Sequence, residues 1–182
     1  MKKVFLILVV AFMTLFAKET FSQNLMLNAN THETTVNRCA GYFYDNSSTG
    51  NYATSIDRWV TICPPASSAN TRTALTFEEF NIDPSDTVFI YQGVGINAPI
   101  MTTGNNIPYF QNQDLQGLTI MPSLMMNSPC LTLRLVSNGS ATASGWKAKI
   151  ECARDCQFPE ASLDTFFYKY DSEGNMTVRP VR

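Results

Sequence analysis

Histidine is nearly absent from this chain: His32 is the only one in 182 residues. A Ser-His-Asp or Cys-His centre would have to rest on that single residue, which sits in an Asn- and Thr-rich stretch and reads as solvated. Charge is scarce too, with 13 Lys plus Arg against 15 Asp plus Glu and a net charge of -2. No basic stripe is available for nucleic acid. Beyond the N-terminus no apolar run is long enough to span a membrane. None of the five cysteines forms a zinc-type CxxC pair, and no histidine lies near Cys152-Ala-Arg-Asp-Cys156. Gly93-Val-Gly-Ile-Asn97 has the glycines of a phosphate loop without the following helix or the Lys-Ser/Thr.

What is present begins with an export signal. Lys2 and Lys3 precede an apolar stretch from Val4 to Ala17, and polar residues follow. That order is the pattern of a secretory signal peptide over residues 1–22, cleaved near Ser22-Gln23 or at Ala17. Export places Cys39, Cys63, Cys130, Cys152 and Cys156 where pairing is the default. An odd count leaves one over, for another chain, for a free thiol, or for a segment beyond this one. Residues 23–38 are polar and weakly periodic, and read as a flexible leader.

From residue 39 the chain reads as strands. Ala74 to Gly93 holds two of them around an acidic corner, Asn81-Ile-Asp-Pro-Ser-Asp86, where Pro84 stops any central ladder. Thr71 to Phe80 and Asp86 to Tyr91 alternate as strands do. Ile56 to Cys63 is another strand, with Trp59 read as core. Leu118 to Met121 is a further short one, and the methionines from Met121 to Met126 read as core fillers. Leu131, Leu133 and Leu135 alternate with Thr132 and Arg134. Trp146, Ala148 and Ile150 alternate with Lys147, Lys149 and Glu151. These two segments read as a hairpin. Many short strands at this spacing predict an all-β fold, an antiparallel β-sandwich. Residues 153–182 change character, with Leu163, Phe166, Phe167 and Tyr170 suiting a helix or a strand. They read as a linker or the start of a second module.

The blocks Cys39-Ala-Gly-Tyr-Phe-Tyr-Asp, Asn51-Tyr52, Trp59-Val-Thr-Ile-Cys-Pro, Leu75-Thr-Phe-Glu-Glu-Phe-Asn-Ile-Asp, Asp86-Thr-Val-Phe-Ile-Tyr-Gln-Gly, Cys130-Leu-Thr-Leu-Arg-Leu-Val-Ser-Asn-Gly-Ser and Ser144-Gly-Trp-Lys-Ala-Lys-Ile-Glu-Cys152 follow one another in a fixed order. In that order they resemble a CUB domain of the kind found in bacterial secreted and surface proteins, over residues 39–152. The resemblance implies a jelly-roll of two sheets with about ten short strands. It also implies a bridge from Cys39 to Cys63, although Cys63 falls after Trp59 rather than before it. The family's second bridge, near the acidic corner, has no counterpart, because Ser85 stands where a Cys would be. Cys130 and Cys152 bracket the predicted hairpin and are paired on that ground, which leaves Cys156 unpaired.

Many CUB domains bind calcium at one end of the sandwich. The motif positions that carry the ligands match Asp83, Asp86, Asn138 and Ser140 here. Asn138 stands in place of an Asp, which removes one charge from a site that wants six to eight hard oxygens. Asn138-Gly-Ser is also a glycosylation sequon, as are Asn46-Ser-Ser and Asn175-Met-Thr.

The functional expectation is a non-catalytic extracellular recognition module, secreted or at the cell surface, that binds protein or glycan. It would be the N-terminal part of a larger surface or secreted protein. The alternatives are a structural spacer of an adhesion or motility protein, and an accessory domain of a secreted hydrolase. Glu78, Glu79, Asp83 and Asp86 could offer the carboxylate pair of glycoside hydrolysis. Strand alternation, however, sends Glu78 and Glu79 to opposite faces.

Overall fold

In the computed structural model, the described residues are 24–154 apart from Ala69, together with the backbone of 167–170 and 176–179. The predicted signal peptide, Cys156, and most of the proposed second module lie outside them. Among the described residues eleven strands run in chain order: β1 Leu25–Met26, β2 Thr34–Asn37, β3 Tyr42–Tyr44, β4 Asp57–Cys63, β5 Thr71–Asn81, β6 Thr87–Tyr91, β7 Thr119–Ile120, β8 Leu131–Val136, β9 Gly145–Arg154, β10 Phe167–Tyr170 and β11 Met176–Arg179. They form a five-stranded sheet, β1-β3-β9-β5-β7, a four-stranded sheet, β2-β4-β8-β6, and the separate antiparallel pair β10-β11. The first two sheets contribute their inner faces to one hydrophobic core, as sandwich sheets do.

The alternation read from the sequence orients β8 and β9 correctly. Leu131, Leu133 and Leu135 are buried from β8, Val60 and Ile62 from β4, and Val88 and Ile90 from β6. Against them lie Phe43, Leu75, Phe77, Phe80, Trp146, Ala148 and Ile150 from the other sheet. Phe43 meets Trp146 edge-on at 5.4 Å, and Phe77 meets Phe80 at 5.3 Å. Full burial of one such ring is worth roughly 1.5–3 kcal/mol, so this aromatic group is a large part of the driving force.

Several expectations are corrected. The leader is not a loose segment. β1 lies parallel to β3, with Leu25 opposite Phe43. β2 lies parallel to β4, with Thr34 opposite Val60. Leu25 and Leu27 are buried, and these few apolar side chains anchor a stretch whose composition is otherwise polar. His32 is not simply solvated: its Nδ1 accepts the backbone N–H of Trp59 at 3.2 Å. Trp59 is only half-buried, because it points away from the core formed by its neighbours Val60 and Ile62. Met125 is exposed rather than a core filler.

β8 and β9 do not form a hairpin. β8 pairs with β4 and β6, while β9 pairs with β3 and β5, so the connection after Val136 crosses between sheets. Alternation shows which face of a strand is buried but not which strand lies beside it.

The same pairing overturns the expected disulfides. The bridges are Cys39–Cys152 and Cys63–Cys130, not Cys39–Cys63 and Cys130–Cys152. Tyr42 faces Lys149 across the β3–β9 ladder, so three residues outward on each strand brings Cys39 opposite Cys152. Ile62 faces Leu131 across β4–β8, so the next step brings Cys63 opposite Cys130. Antiparallel registry sets both pairs, and each bridge closes within its own sheet.

Glu78 and Glu79 also depart from simple alternation. The β5–β9 register shifts between Phe77 and Glu79, a β-bulge that leaves both acids exposed between buried Phe77 and Phe80. A bulge inserts one residue and so restores the inward phase after two outward positions.

Candidate functional site

The acidic corner links the two sheets. β5 ends at Asn81, in the five-stranded sheet, and β6 starts at Thr87, in the four-stranded sheet. Between them Ile82 is buried and bridges to Asn112. Pro84 and Ser85 point to solvent. The turn is closed by the Asp86 N–H donating to the Asp83 carbonyl at 2.9 Å.

Asp86 is the buried centre of this end, at 1% exposure. Its Oδ2 accepts the Tyr52 hydroxyl at 2.6 Å. Its Oδ1 accepts the Asn138 N–H at 2.7 Å. Tyr52 in turn accepts the Asp83 N–H at 3.0 Å. Burial and the bond to Asp86 hold the Tyr52 phenol well above its ordinary pKa. Gln111 closes the underside, donating from Nε2 to the carbonyls of Pro84 and Asp86 at 2.9 and 2.8 Å.

The four residues grouped by resemblance do come together. Asp83 Oδ1 accepts both the N–H and the hydroxyl of Ser85, which holds its carboxyl below the usual range. Asn138 donates from Nδ2 to the Ser85 carbonyl at 3.3 Å, and its Oδ1 accepts the N–H and the hydroxyl of Ser140. Asp83 and Asn138 thus each cap their own turn, as Asx side chains do. Two carboxylates, one amide and the Ser140 hydroxyl are the side-chain groups of the set, and the amide turns its nitrogen toward the corner. Among the described residues no three His, Cys, Asp or Glu side chains gather as a metal cluster. Calcium takes six to eight oxygens, more than these four side chains supply by themselves.

A second buried carboxylate lies nearby, and the sequence reading missed its role. Asp45 is fully buried at the end of β3. Its Oδ2 accepts the Trp146 N–H at 2.9 Å, and its Oδ1 accepts the Ser47 N–H. Desolvation pushes its carboxyl up to about 6, against the opposing pull of the backbone bonds to Ser47 and Trp146. The contact needs Gly145: a Cβ there would stand 1.7 Å from Asp45 Oδ2, and φ is +72°. The adjacency Gly145-Trp146 was the only hint of this in the sequence. The segments 51–56 and 137–143 are stitched together as well. Tyr52 N–H donates to the Ala143 carbonyl, Ser55 N–H to the Asn138 carbonyl, and Ser137 Oγ to the Ala53 carbonyl.

The acids considered for hydrolysis are dispersed. Glu78 pairs with Lys147 at 2.7 Å on the outer face of the five-stranded sheet, whereas Asp83 and Asp86 belong to the corner.

With that geometry in hand, comparison places the architecture. The sequence matches no family model and no curated protein. Among solved structures the chain is similar to the full extracellular region of zebrafish Gpr126/Adgrg6, with TM-score 0.52 and 16% identity over 74% of this chain and 17% of that one. It is also similar to the CUB1-EGF-CUB2 domain of human MASP-1/3, with TM-score 0.48 and 16% identity over 72% of this chain and 42% of that one. A third likeness is to the MASP-1 CUB2 domain bound to Ca2+, with TM-score 0.47 and 17% identity over 65% of this chain and 96% of that one. The fold is an all-β sandwich, with two disulfides among the described residues. At these identities the likeness is one of fold, and fold does not transfer a ligand.

Proposed function

We propose that this chain is a non-catalytic extracellular recognition module, the N-terminal part of a larger secreted or surface protein, which binds a protein or a glycan beside the loop end of its sandwich. One observation carries the reading. The buried Tyr52–Asp86–Asn138 network holds three separate loops in one arrangement. A surface ordered in advance loses less entropy when it binds. The acids of this end are used to hold loops, not to flank a substrate.

We infer that this end holds its loops without a metal. The support is that the Tyr52 hydroxyl and the Asn138 N–H each bind one oxygen of Asp86. Asp83, Asp86, Asn138 and Ser140, the calcium positions implied by resemblance, then serve as turn caps. Calcium at millimolar concentration is expected to leave the melting temperature unchanged, whereas Asn138→Asp, which supplies a third carboxylate, is expected to gain calcium-dependent stabilisation. A calcium-induced rise in the native protein would remove this part of the reading.

The recognition reading itself is tested by immobilising the exported chain and exposing it to envelope and extracellular material, with and without chelator. A ligand retained in both conditions and released by the free chain is the expected result. Retention of nothing, or turnover of a polysaccharide or peptide by the chain alone, would overturn the proposal.

A further inference from the structure

The outward positions of the two sheets differ in how charge and rings are mixed. On the five-stranded sheet Lys147, Lys149, Glu78 and Glu151 are joined as ion pairs at 2.7 Å, and Lys147 lies 4.6 Å over the ring of Tyr42, beside Tyr44, so charge dominates that face. On the four-stranded sheet alternation leads to the same expectation, yet the outward side chains at one level are Trp59, Arg134 and Phe89. Trp59 lies opposite Arg134 across β4–β8, and Arg134 lies opposite Phe89 across β8–β6. Tyr109 extends the row, edge-on to Phe89 at 6.4 Å. His32 ends it on the other side, edge-on to Trp59 at 6.2 Å. All are partly exposed.

Each member is fixed. Arg134 is clamped by Asp57 through Nε and Nη2 and lies 5.8 Å over the Phe89 ring. Next along the sheet, the outward Thr61 and Thr132 are buried, because the N–H of Gly95 caps both hydroxyls. The row therefore stays open while its neighbour level is covered. It lies two residues from the ends of the strands that meet the acidic corner, so it continues the ordered loop end onto the sheet.

We infer that this row is the binding face of the module, and that its partner is a protein segment presenting an apolar side chain beside a Lys or Arg. Trp, Tyr and Arg are the residues that dominate protein–protein binding energy when held rigidly with apolar neighbours. Asp57 is spent on Arg134, so the charge left on view beside the row is that of Glu33, 65% exposed next to His32. A basic partner complements it. Protein is favoured over glycan because Arg134 covers the Phe89 ring and Tyr109 stands edge-on to it, so the row does not offer a line of open ring faces for sugars.

The inference rests on the recognition reading and names its surface. The test uses the full exported chain and a panel of synthetic twelve-residue peptides with one central Trp or Leu, flanked by Lys and Arg or by Glu, together with a neutral polysaccharide. Binding is measured by calorimetry. The basic peptides are expected to bind, with affinity reduced at least tenfold by Trp59→Ala and by Tyr109→Ser, and unchanged by Lys149→Ala on the opposite sheet. Thermal unfolding of each variant confirms that it is folded, and the two substitutions at separate ends of the row guard against loss of one variant. Equal binding of acidic and basic peptides, insensitivity to both substitutions, Trp59-dependent retention of the polysaccharide, or no peptide binding at all would each overturn it. In those cases a ligand still retained from extracellular material would leave the recognition reading standing, and its absence would remove both.

Discussion

Tyr52→Phe isolates the corner. The substitution keeps the ring, which is buried in the core, and removes one oxygen. That oxygen donates to Asp86 Oδ2 at 2.6 Å and accepts the Asp83 N–H at 3.0 Å. A hydrogen bond to a charged group is worth about 1.5–3 kcal/mol, and a buried group left without its partner costs about 1–3 kcal/mol. The Asp83 side chain is only partly buried, so water can relieve some of the second loss. The expected destabilisation is therefore about 2–4 kcal/mol. For a domain of this size that lowers the melting temperature by roughly 10 °C. Urea unfolding of the wild type and the variant, at neutral pH, gives the difference from the midpoints at unchanged slope. A loss below about 1 kcal/mol would show that the hydroxyl is not the tie that holds the loops.

Asp45 gives the fold a pH dependence. Its folded pKa of about 6 lies above its ordinary value of 3.8, so the folded state holds the proton more tightly. The stability this group contributes is full below about pH 4 and is lost as pH rises through 6, about 3 kcal/mol in all. Asp45→Asn should flatten that part of the stability–pH profile, and an identical slope in both proteins would refute the assignment. Gly145→Ala should cost more than about 3 kcal/mol, because φ is +72° and the new Cβ would displace the Asp45 carboxylate. Gly139→Ala, where a Cβ would only touch Ser55 Oγ at 3.4 Å, should be nearly neutral in the same chemical denaturation assay. Replacing Cys63 and Cys130 together by Ser opens a link of sequence separation 67, and should cost about 4 kcal/mol by loop entropy. Non-reducing peptide mapping of the native protein should recover Cys39–Cys152 and Cys63–Cys130, and any other linkage would contradict the sheet register.

Much of the architecture is legible in the residues. The inward set Leu131, Leu133, Leu135 and the set Trp146, Ala148, Ile150 can be read by counting in twos, because strand geometry is local. The acidic corner is marked by Pro84 between two alternating runs. The four residues Asp83, Asp86, Asn138 and Ser140 were grouped by resemblance, and they do meet. Leu25 and Leu27 were hidden because two apolar side chains in a polar stretch give too short a period to read. The bulge at Glu78 was hidden because nothing in Phe-Glu-Glu-Phe distinguishes a bulged strand from a regular one.

The all-β class, the inward phases of β8 and β9 and the position of the corner are thus written in the residues themselves, because each depends on neighbours a few residues apart or on composition. Which strands lie side by side is set by three-dimensional packing alone. That choice placed β8 and β9 in different sheets, so it also chose the cysteine partners, set Trp59 beside Arg134 and Phe89, and brought Tyr52 under Asp86. These contacts join residues tens of positions apart, and their energy comes from burial and registry between sheets, which no short stretch of sequence contains.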